Sequence, residues 1–251
     1  MNKLLKYEFR KTLAPKMILL GITGAAQIAY LIGLYLKNED WVAVSAGILA
    51  MLAFGGVLMM GLMSLVTLHR DINTKQSYML FMTPNSSYKI LGAKVLENGL
   101  SMLLTGACFF GLGALDITLL FARFGEVGDL WQMIEQLIHS VNNEIQINAG
   151  SLACFALSLL TAWFAAVTAA FLADVISAAL LNGKKHNGIL SFIFFLLLTI
   201  ALRLIRVPVL NAAAVGQGPE TVYLINSAVS VAFAAVMYVC TAQIMERKLS
   251  V

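Results

Sequence analysis

Six long runs of mainly apolar residues limit the folds that this chain can adopt. They cover residues 17–36, 41–68, 95–122, 149–181, 189–205 and 222–244. A helix of about 20 apolar residues crosses the hydrocarbon core of a bilayer and satisfies its backbone hydrogen bonds internally. The runs therefore predict an all-α integral membrane protein. We expect six transmembrane helices in a single transmembrane domain that covers residues 1–251.

Composition supports this class of protein. Hydrophobic residues make up 60% of the chain and charged residues 12%, whereas a soluble domain has about 25% charged residues. The formal net charge of +4 is explained by membrane topology and by attraction to anionic lipid. We therefore expect the chain to contact the lipid bilayer and to have no nucleic-acid partner.

Lys and Arg are distributed unequally between the segments that join the apolar runs. Thirteen of the 17 basic residues lie in the N-terminal tail, after the second run, after the fourth run and at the C-terminus. Cytoplasmic segments of membrane proteins carry such an excess of basic residues. The pattern predicts a multi-pass protein of the cell membrane with both termini in the cytoplasm.

The N-terminal tail has the periodicity of an amphipathic helix. In residues 1–15, Leu4, Phe9 and Leu13 lie near helical spacing between basic residues. This predicts an interfacial helix that ends near Pro15. A basic topology signal without a helix is the alternative.

Two segments on the opposite side of the membrane have sequence patterns that differ from those of the spans. In the outer loop, 123–148, the spacing of apolar residues predicts an amphipathic helix on the membrane surface or over the spans. The stretch 206–221 is interrupted by Gly and Pro. It fits either a segment that re-enters the membrane or a plain loop.

Asp174 is the intramembrane charge that most needs a partner. A charge at mid-depth costs a few kcal/mol unless it is paired or solvated, and Asp174 lies within the fourth run. A functional role and a structural ion pair both remain open for it.

The sequence encodes no chemistry of its own. The three cysteines and three histidines are scattered without metal-ligand spacing, so we predict no metal site. There is no phosphate-binding Gly-x-x-x-x-Gly-Lys-[Ser/Thr] motif. Ser86-x-x-Lys89 lacks the partner motifs of penicillin-binding enzymes. We therefore predict that the chain is not an enzyme, has no catalytic residues and binds no cofactor.

The polar stretch "RDINTKQSYMLFMTPNSSYKILGAK", residues 70–94, separates the second and third runs. Residues 74–81 can form a short helix that Pro84 ends. A partly apolar helix exposed on the cytoplasmic side needs a cover. We interpret it as a docking element for a partner, with a helix lying flat on lipid headgroups as the alternative.

The same stretch resembles the region between the second and third spans of ABC-2 type permeases, the membrane subunits of ABC exporters. The positions that carry the resemblance, in order, are Arg70, Asp71, Tyr78, Leu80, Thr83, Pro84, Ser86, Ser87, Gly92, Lys94 and Glu97. The architecture of six spans with cytoplasmic termini resembles that family over most of the chain.

This resemblance implies a function and partners. The stretch would be a cytoplasmic coupling helix that contacts a separate ABC ATPase subunit, which would bind the ATP and Mg²⁺. A second permease chain, identical or different, would complete the exporter in a bacterial plasma membrane. No residue matches a known substrate site. The residues implied in the ATPase contact are Thr74, Lys75, Gln76, Ser77, Tyr78, Met79, Leu80 and Phe81.

Two other classes of function stay open. An ion-coupled secondary transporter would use membrane carboxylates, for which Asp174 and Glu97 are the best pair in the sequence. A membrane anchor or assembly subunit would need no substrate path.

Overall fold

A computed structural model describes residues 2–73, 86–124, 132, 149–181, 187–214 and 218–249. These parts of the chain are helical almost throughout and contain no strand. The elements are α1 (Asn2–Lys11), α2 (Leu13–Leu36), α3 (Glu39–Asn73), α4 (Ser87–Phe124), α5 (Ala149–Leu181), α6 (Asn187–Ala214), α7 (Pro219–Ile244) and a π-helical turn (Met245–Leu249). The prediction of an all-α chain is confirmed for these residues.

Helices α2 to α7 are each long and apolar enough to cross a membrane. The protein is therefore a multi-pass helical membrane protein. Helices α3 and α4 have 35 and 38 residues and are about 52 and 57 Å long at about 1.5 Å per residue. Both exceed the roughly 30 Å of a hydrocarbon core, so they must tilt or extend beyond it.

The break between α1 and α2 lies at Thr12 rather than near Pro15. The Thr12 hydroxyl donates to the Glu8 carbonyl at 3.2 Å, and the Thr12 backbone N–H donates to the same oxygen. Pro15 lies in the first turn of α2. The first four N–H groups of a helix have no partner within it, so a proline there removes no hydrogen bond.

Helix α6 continues into the stretch 206–221, for which the sequence left a loop and a re-entrant segment open. It passes Ile205, contains Pro208 and ends at Ala214. The next helix begins at Pro219, after Gly218. Proline at the start of α7 is favourable because its fixed φ suits the first helical turn.

The chain divides into two compact units. The bundle unit consists of Met1–Leu5, Ser64–Glu97 and Asn148–Val251, and the hairpin unit consists of Lys6–Met63 and Asn98–Ile147. Each unit takes a part of α3 and a part of α4. The bundle unit adds these parts to α5, α6 and α7, whereas the hairpin unit adds them to α2 and most of α1.

In the bundle unit, α5 packs against α6 and α7. A buried apolar cluster joins the end of α3 and the start of α4 to α5 and α7; its members include Leu68, Leu91, Phe171, Val175, Ala242 and Met245. The Tyr238 hydroxyl donates to the Tyr88 carbonyl at 2.6 Å, and the two rings meet edge to face. Because lipid is as apolar as these side chains, close packing and buried polar contacts stabilise such a unit.

The hairpin unit is built on a tight turn between α2 and α3. Lys37 ends α2 in the left-handed conformation, with φ 52°. The Asn38 side chain then accepts the Trp41 backbone N–H at 3.1 Å and so caps α3. A Cβ on Gly33 would lie 2.6 Å from Trp41 Cδ1, so the turn requires glycine at this position.

Candidate functional site: the two ends of the segment 74–85

The residues named for the ATPase contact, 74–81, and Pro84 lie outside the described residues, and so does most of the predicted outer amphipathic helix. The structure does describe the chain on both sides of the segment 74–85. Helix α3 ends at Asn73 and α4 begins at Ser87. The motif positions Arg70, Asp71, Gly92, Lys94 and Glu97 are all on these two helix ends, within the bundle unit.

A buried ion pair joins these two helix ends. Lys94 Nζ donates to Asp71 Oδ2 at 2.7 Å, and the two side chains are 1% and 5% exposed. Asp71 is in the last turn of α3, and Lys94 is on α4. Removing one partner of such a pair costs about 3–5 kcal/mol, because the other charge is left buried. We refer to this contact as the buried ion pair.

A second polar contact ties the same end of α3 to α5. His69 Nδ1 and Asp174 Oδ1 are 2.6 Å apart. The Asp174 side chain is 1% exposed, whereas the His69 side chain is 40% exposed. The contact therefore links a deeply buried carboxylate to a group that solvent can reach.

The Asp174 carboxylate is only partly satisfied. Ser191 on α6 lies beside it, yet Oδ2 is buried and has no hydrogen-bond partner among the described residues. A buried carboxylate oxygen without a donor costs free energy. A buried polar atom of this kind is normally satisfied by another protein group or by ordered water.

The structure gives Asp174 a partner that the sequence did not indicate. Sequence reasoning coupled Asp174 with Glu97, whereas the structure pairs it with His69, which sequence reasoning had classified as scattered. Glu97 is buried on α4, at 4% exposure. One feature of the sequence could have indicated this pair. His69 and Asp174 each lie within about two turns of a helix end, and the distribution of basic residues predicts that these two helix ends are on the same side of the membrane.

The remaining motif positions have different surroundings. Gly92 is buried on α4, and Arg70 is exposed at the end of α3. At this end of α3, the buried residues beside Arg70 are Leu68, Asp71 and Ile72. Only Asp71 and Lys94, among the motif positions, form the buried ion pair.

Metal chemistry finds no support in the described parts of the chain. They contain no group of three or more His, Cys, Asp or Glu side chains that could hold an ion. Cys108, Cys154 and Cys240 are free thiols. Among the described residues, the site at these helix ends therefore rests on two polar contacts, Lys94–Asp71 and His69–Asp174.

Comparisons with known proteins do not assign this chain to a family. No known protein family matches the sequence, and no characterised protein or solved structure shows significant similarity to the chain. A functional proposal therefore depends on the sequence and the structure alone.

Proposed function

We propose that this chain is the transmembrane permease subunit of an ABC-2 type exporter, in which a separate ATPase subunit hydrolyses ATP. The observation that carries the proposal is the attachment of both ends of the segment 74–85 to the bundle unit. An external motor can drive a membrane protein only if the segment that it contacts is firmly joined to the spans.

Two contacts provide this attachment. Asp71 and Lys94 hold the end of α3 against the start of α4, and His69 joins α3 to Asp174 on α5. Leu68, Leu91 and Phe171 pack beneath them. A displacement of residues 74–85 by a partner would therefore move α3, α4 and α5 together, because a packed core responds as a unit.

The remaining parts of the proposal follow from the same function. The segment 74–85 and both termini face the cytoplasm, where the basic residues concentrate. ATP and Mg²⁺ bind to the ATPase subunit, and this chain acts as a non-enzymatic partner. A second permease chain completes the substrate path in a bacterial plasma membrane.

The test is co-purification of an ATPase. The chain is expressed with its genomic neighbours, solubilised and purified beside the double variant Tyr78→Asp/Phe81→Asp. We expect an ABC ATPase with the unmodified chain and a loss of at least about tenfold in the variant, because two buried carboxylates would oppose an apolar contact.

Tyr7→Asp is the matched control, since Tyr7 is an aromatic residue 58% exposed on α1. It should retain the ATPase. If the unmodified chain brings down no ATPase, or if Tyr7→Asp loses it equally, the coupling role of the segment is wrong.

The His69–Asp174 contact favours a second candidate, an ion-coupled secondary transporter. A buried carboxylate with one unsatisfied oxygen beside a half-exposed imidazole can bind and release a proton. This function predicts uptake or export in proteoliposomes driven by a proton gradient without ATP. Asp174→Asn should abolish that transport, whereas transport that needs ATP and the partner subunit would exclude this candidate.

A further inference from the structure

Two arginines lie inside the membrane-spanning part of α6. The fifth apolar run of the sequence, 189–205, would place Arg203 and Arg206 at its outer end, but α6 continues as a helix well beyond them. The part of α6 that is apolar enough to cross a membrane is Gly188–Ala212. Arg203 is three residues past the middle of this range and Arg206 six, which corresponds to about 4.5 and 9 Å at about 1.5 Å per residue.

The protein itself provides few partners for these two side chains. Arg206 donates through Nε to the Asn226 side chain on α7. In the described parts of the chain, neither guanidinium group forms an ion pair. Glu220, in the first turn of α7, accepts the Ser151 hydroxyl at 3.1 Å. A guanidinium group has five N–H donors, so most of the donors of this arginine pair are left for a ligand.

Cations at this depth need a counterpart. A charged side chain inside a membrane span is costly unless it is paired or solvated, and such residues usually mark a functional site. Arg206 can extend toward the lipid head groups, but Arg203 lies one turn deeper. Residues one turn apart are neighbours on a helix surface, so the two like charges also repel each other. One anion bound by both guanidinium groups would relieve both costs.

The surface around Arg203 is apolar. Leu196, Ile200 and Val207 lie on the same face of α6 as Arg203, and their side chains are 43%, 53% and 45% exposed. Leu196 and Ile200 continue this face through the middle of the span. A water-soluble anion would gain nothing from these side chains. An amphiphile can place an anionic group at the arginines and a hydrocarbon chain along Ile200 and Leu196.

We propose that Arg203 and Arg206 bind the phosphate group of an amphiphile that enters from the lipid, with its chain along Ile200 and Leu196. Guanidinium groups bind phosphate oxygens through paired, charge-assisted hydrogen bonds. The head group then points toward the end of α6 and the chain toward mid-span, as in the adjacent lipid leaflet. A two-chain phospholipid of the bilayer and a single-chain phosphorylated amphiphile both offer this chemistry. The site belongs to the bundle unit and does not depend on an ATPase partner.

The test is native mass spectrometry of the purified chain in maltoside detergent, which identifies bound lipids by their mass. The protein is titrated with dioleoyl phosphatidic acid and with dioleoylglycerol, which has the same chains and no phosphate. We expect phosphatidic acid to bind at least about tenfold more tightly, because hydrogen bonds between charged groups determine the selectivity. Dodecyl phosphate distinguishes the two sources of the ligand. Effective competition means that one chain is sufficient, whereas failure to compete assigns the site to a two-chain phospholipid.

Variants of the two arginines test the role of each charge. Arg203→Gln should weaken binding of phosphatidic acid by at least about tenfold, and Arg203→Gln/Arg206→Gln should reduce it to the level of dioleoylglycerol. Arg203 is exposed, so its replacement should leave the thermal stability unchanged. Arg203→Lys keeps the charge without the paired donors and should retain only part of the affinity. Arg10→Gln is the matched control, because Arg10 is an exposed arginine of α1 in the hairpin unit.

Four results would each overturn the proposal. Equal binding of phosphatidic acid and dioleoylglycerol would show that the phosphate group is not recognised. Equal losses in Arg203→Gln and Arg10→Gln would reduce the effect to general charge. Binding of inorganic phosphate as tight as that of phosphatidic acid would contradict an amphiphilic ligand. A dimer that binds no phosphatidic acid and dissociates in Arg203→Gln would show that a second copy of the chain covers the arginine. The assay contains no ATPase, so each of these outcomes leaves the permease proposal to its own test.

Discussion

Lys94 and Asp71 form an ion pair in which neither side chain is more than 5% exposed. The pair joins two helices that are connected by the segment 74–85. Both residues belong to the bundle unit, so the contact lies within one compact unit. The pair should therefore determine the stability of the helix ends independently of any partner.

The buried ion pair predicts that the losses in unfolding free energy caused by mutating Lys94 and Asp71 are not additive. Lys94→Met leaves the Asp71 carboxylate buried and should lower the free energy of unfolding by about 3–5 kcal/mol. The double variant Lys94→Met/Asp71→Leu should recover most of that loss, because an apolar pair of similar volume replaces the ions. Urea or SDS unfolding of the purified protein measures both values, and a double variant as unstable as the sum of the single ones would contradict the pairing.

The His69–Asp174 contact predicts that its two residues differ in how strongly their substitution destabilises the protein. His69→Leu leaves a buried carboxylate and should destabilise the protein by about 1–3 kcal/mol or more. Asp174→Asn removes the buried charge, keeps a hydrogen-bonding group for His69 and should cost less than His69→Leu. The same unfolding assay compares the two variants. A larger cost for Asp174→Asn would mean that the charge itself stabilises the fold.

Replacing Gly21 and Gly33 on α2 by alanine should change the thermal stability in opposite directions. Alanine is favoured over glycine in a helix by about 1 kcal/mol, and at Gly21 the new Cβ meets nothing within 4 Å. At Gly33 the Cβ would lie 2.6 Å from Trp41 Cδ1 and 3.1 Å from Val42 Cγ2, so the turn must shift. We expect Gly21→Ala to raise thermal stability in detergent and Gly33→Ala to lower it. A stabilising Gly33→Ala would contradict the close packing of this turn.

The predicted orientation is tested by thiol labelling from one side of the membrane. In a variant that lacks Cys108, Cys154 and Cys240, single cysteines at Lys6 and Ser86 should react only with reagent supplied to the cytoplasmic side. A cysteine at Asp40, in the first turn of α3, should react only from the other side. These expectations follow from the distribution of basic residues, and labelling of Lys6 and Asp40 from the same side would rule out the predicted topology.

The helices could be predicted from the sequence, but their contacts could not. Long apolar runs of about 20 residues predict membrane helices, and α2 to α7, which are long and apolar enough to cross a membrane, confirm that prediction. Hydropathy does not say which spans are neighbours, so the partner of Asp174 was not identified. His69 is 105 positions away and belongs to a residue type without any motif in this chain.

One helix boundary that the position of a proline predicted lies elsewhere in the structure. Proline suggested the end of the first helix, yet Pro15 is tolerated because it lies in the first turn of α2. The break lies instead at Thr12, whose hydroxyl donates to the Glu8 carbonyl in the preceding turn. Threonine makes this type of bond in many helices that do not end, so the sequence alone contains no decisive signal for the break.

The buried ion pair also has a consequence for how such a protein can diversify. Asp71 and Lys94, which join the two helix ends, both lie outside the segment 74–85. A segment of similar length in place of residues 74–85 would leave this ion pair and the buried cluster around Leu91 in place. In the proposed exporter, such an exchange would change the partner without changing the spans.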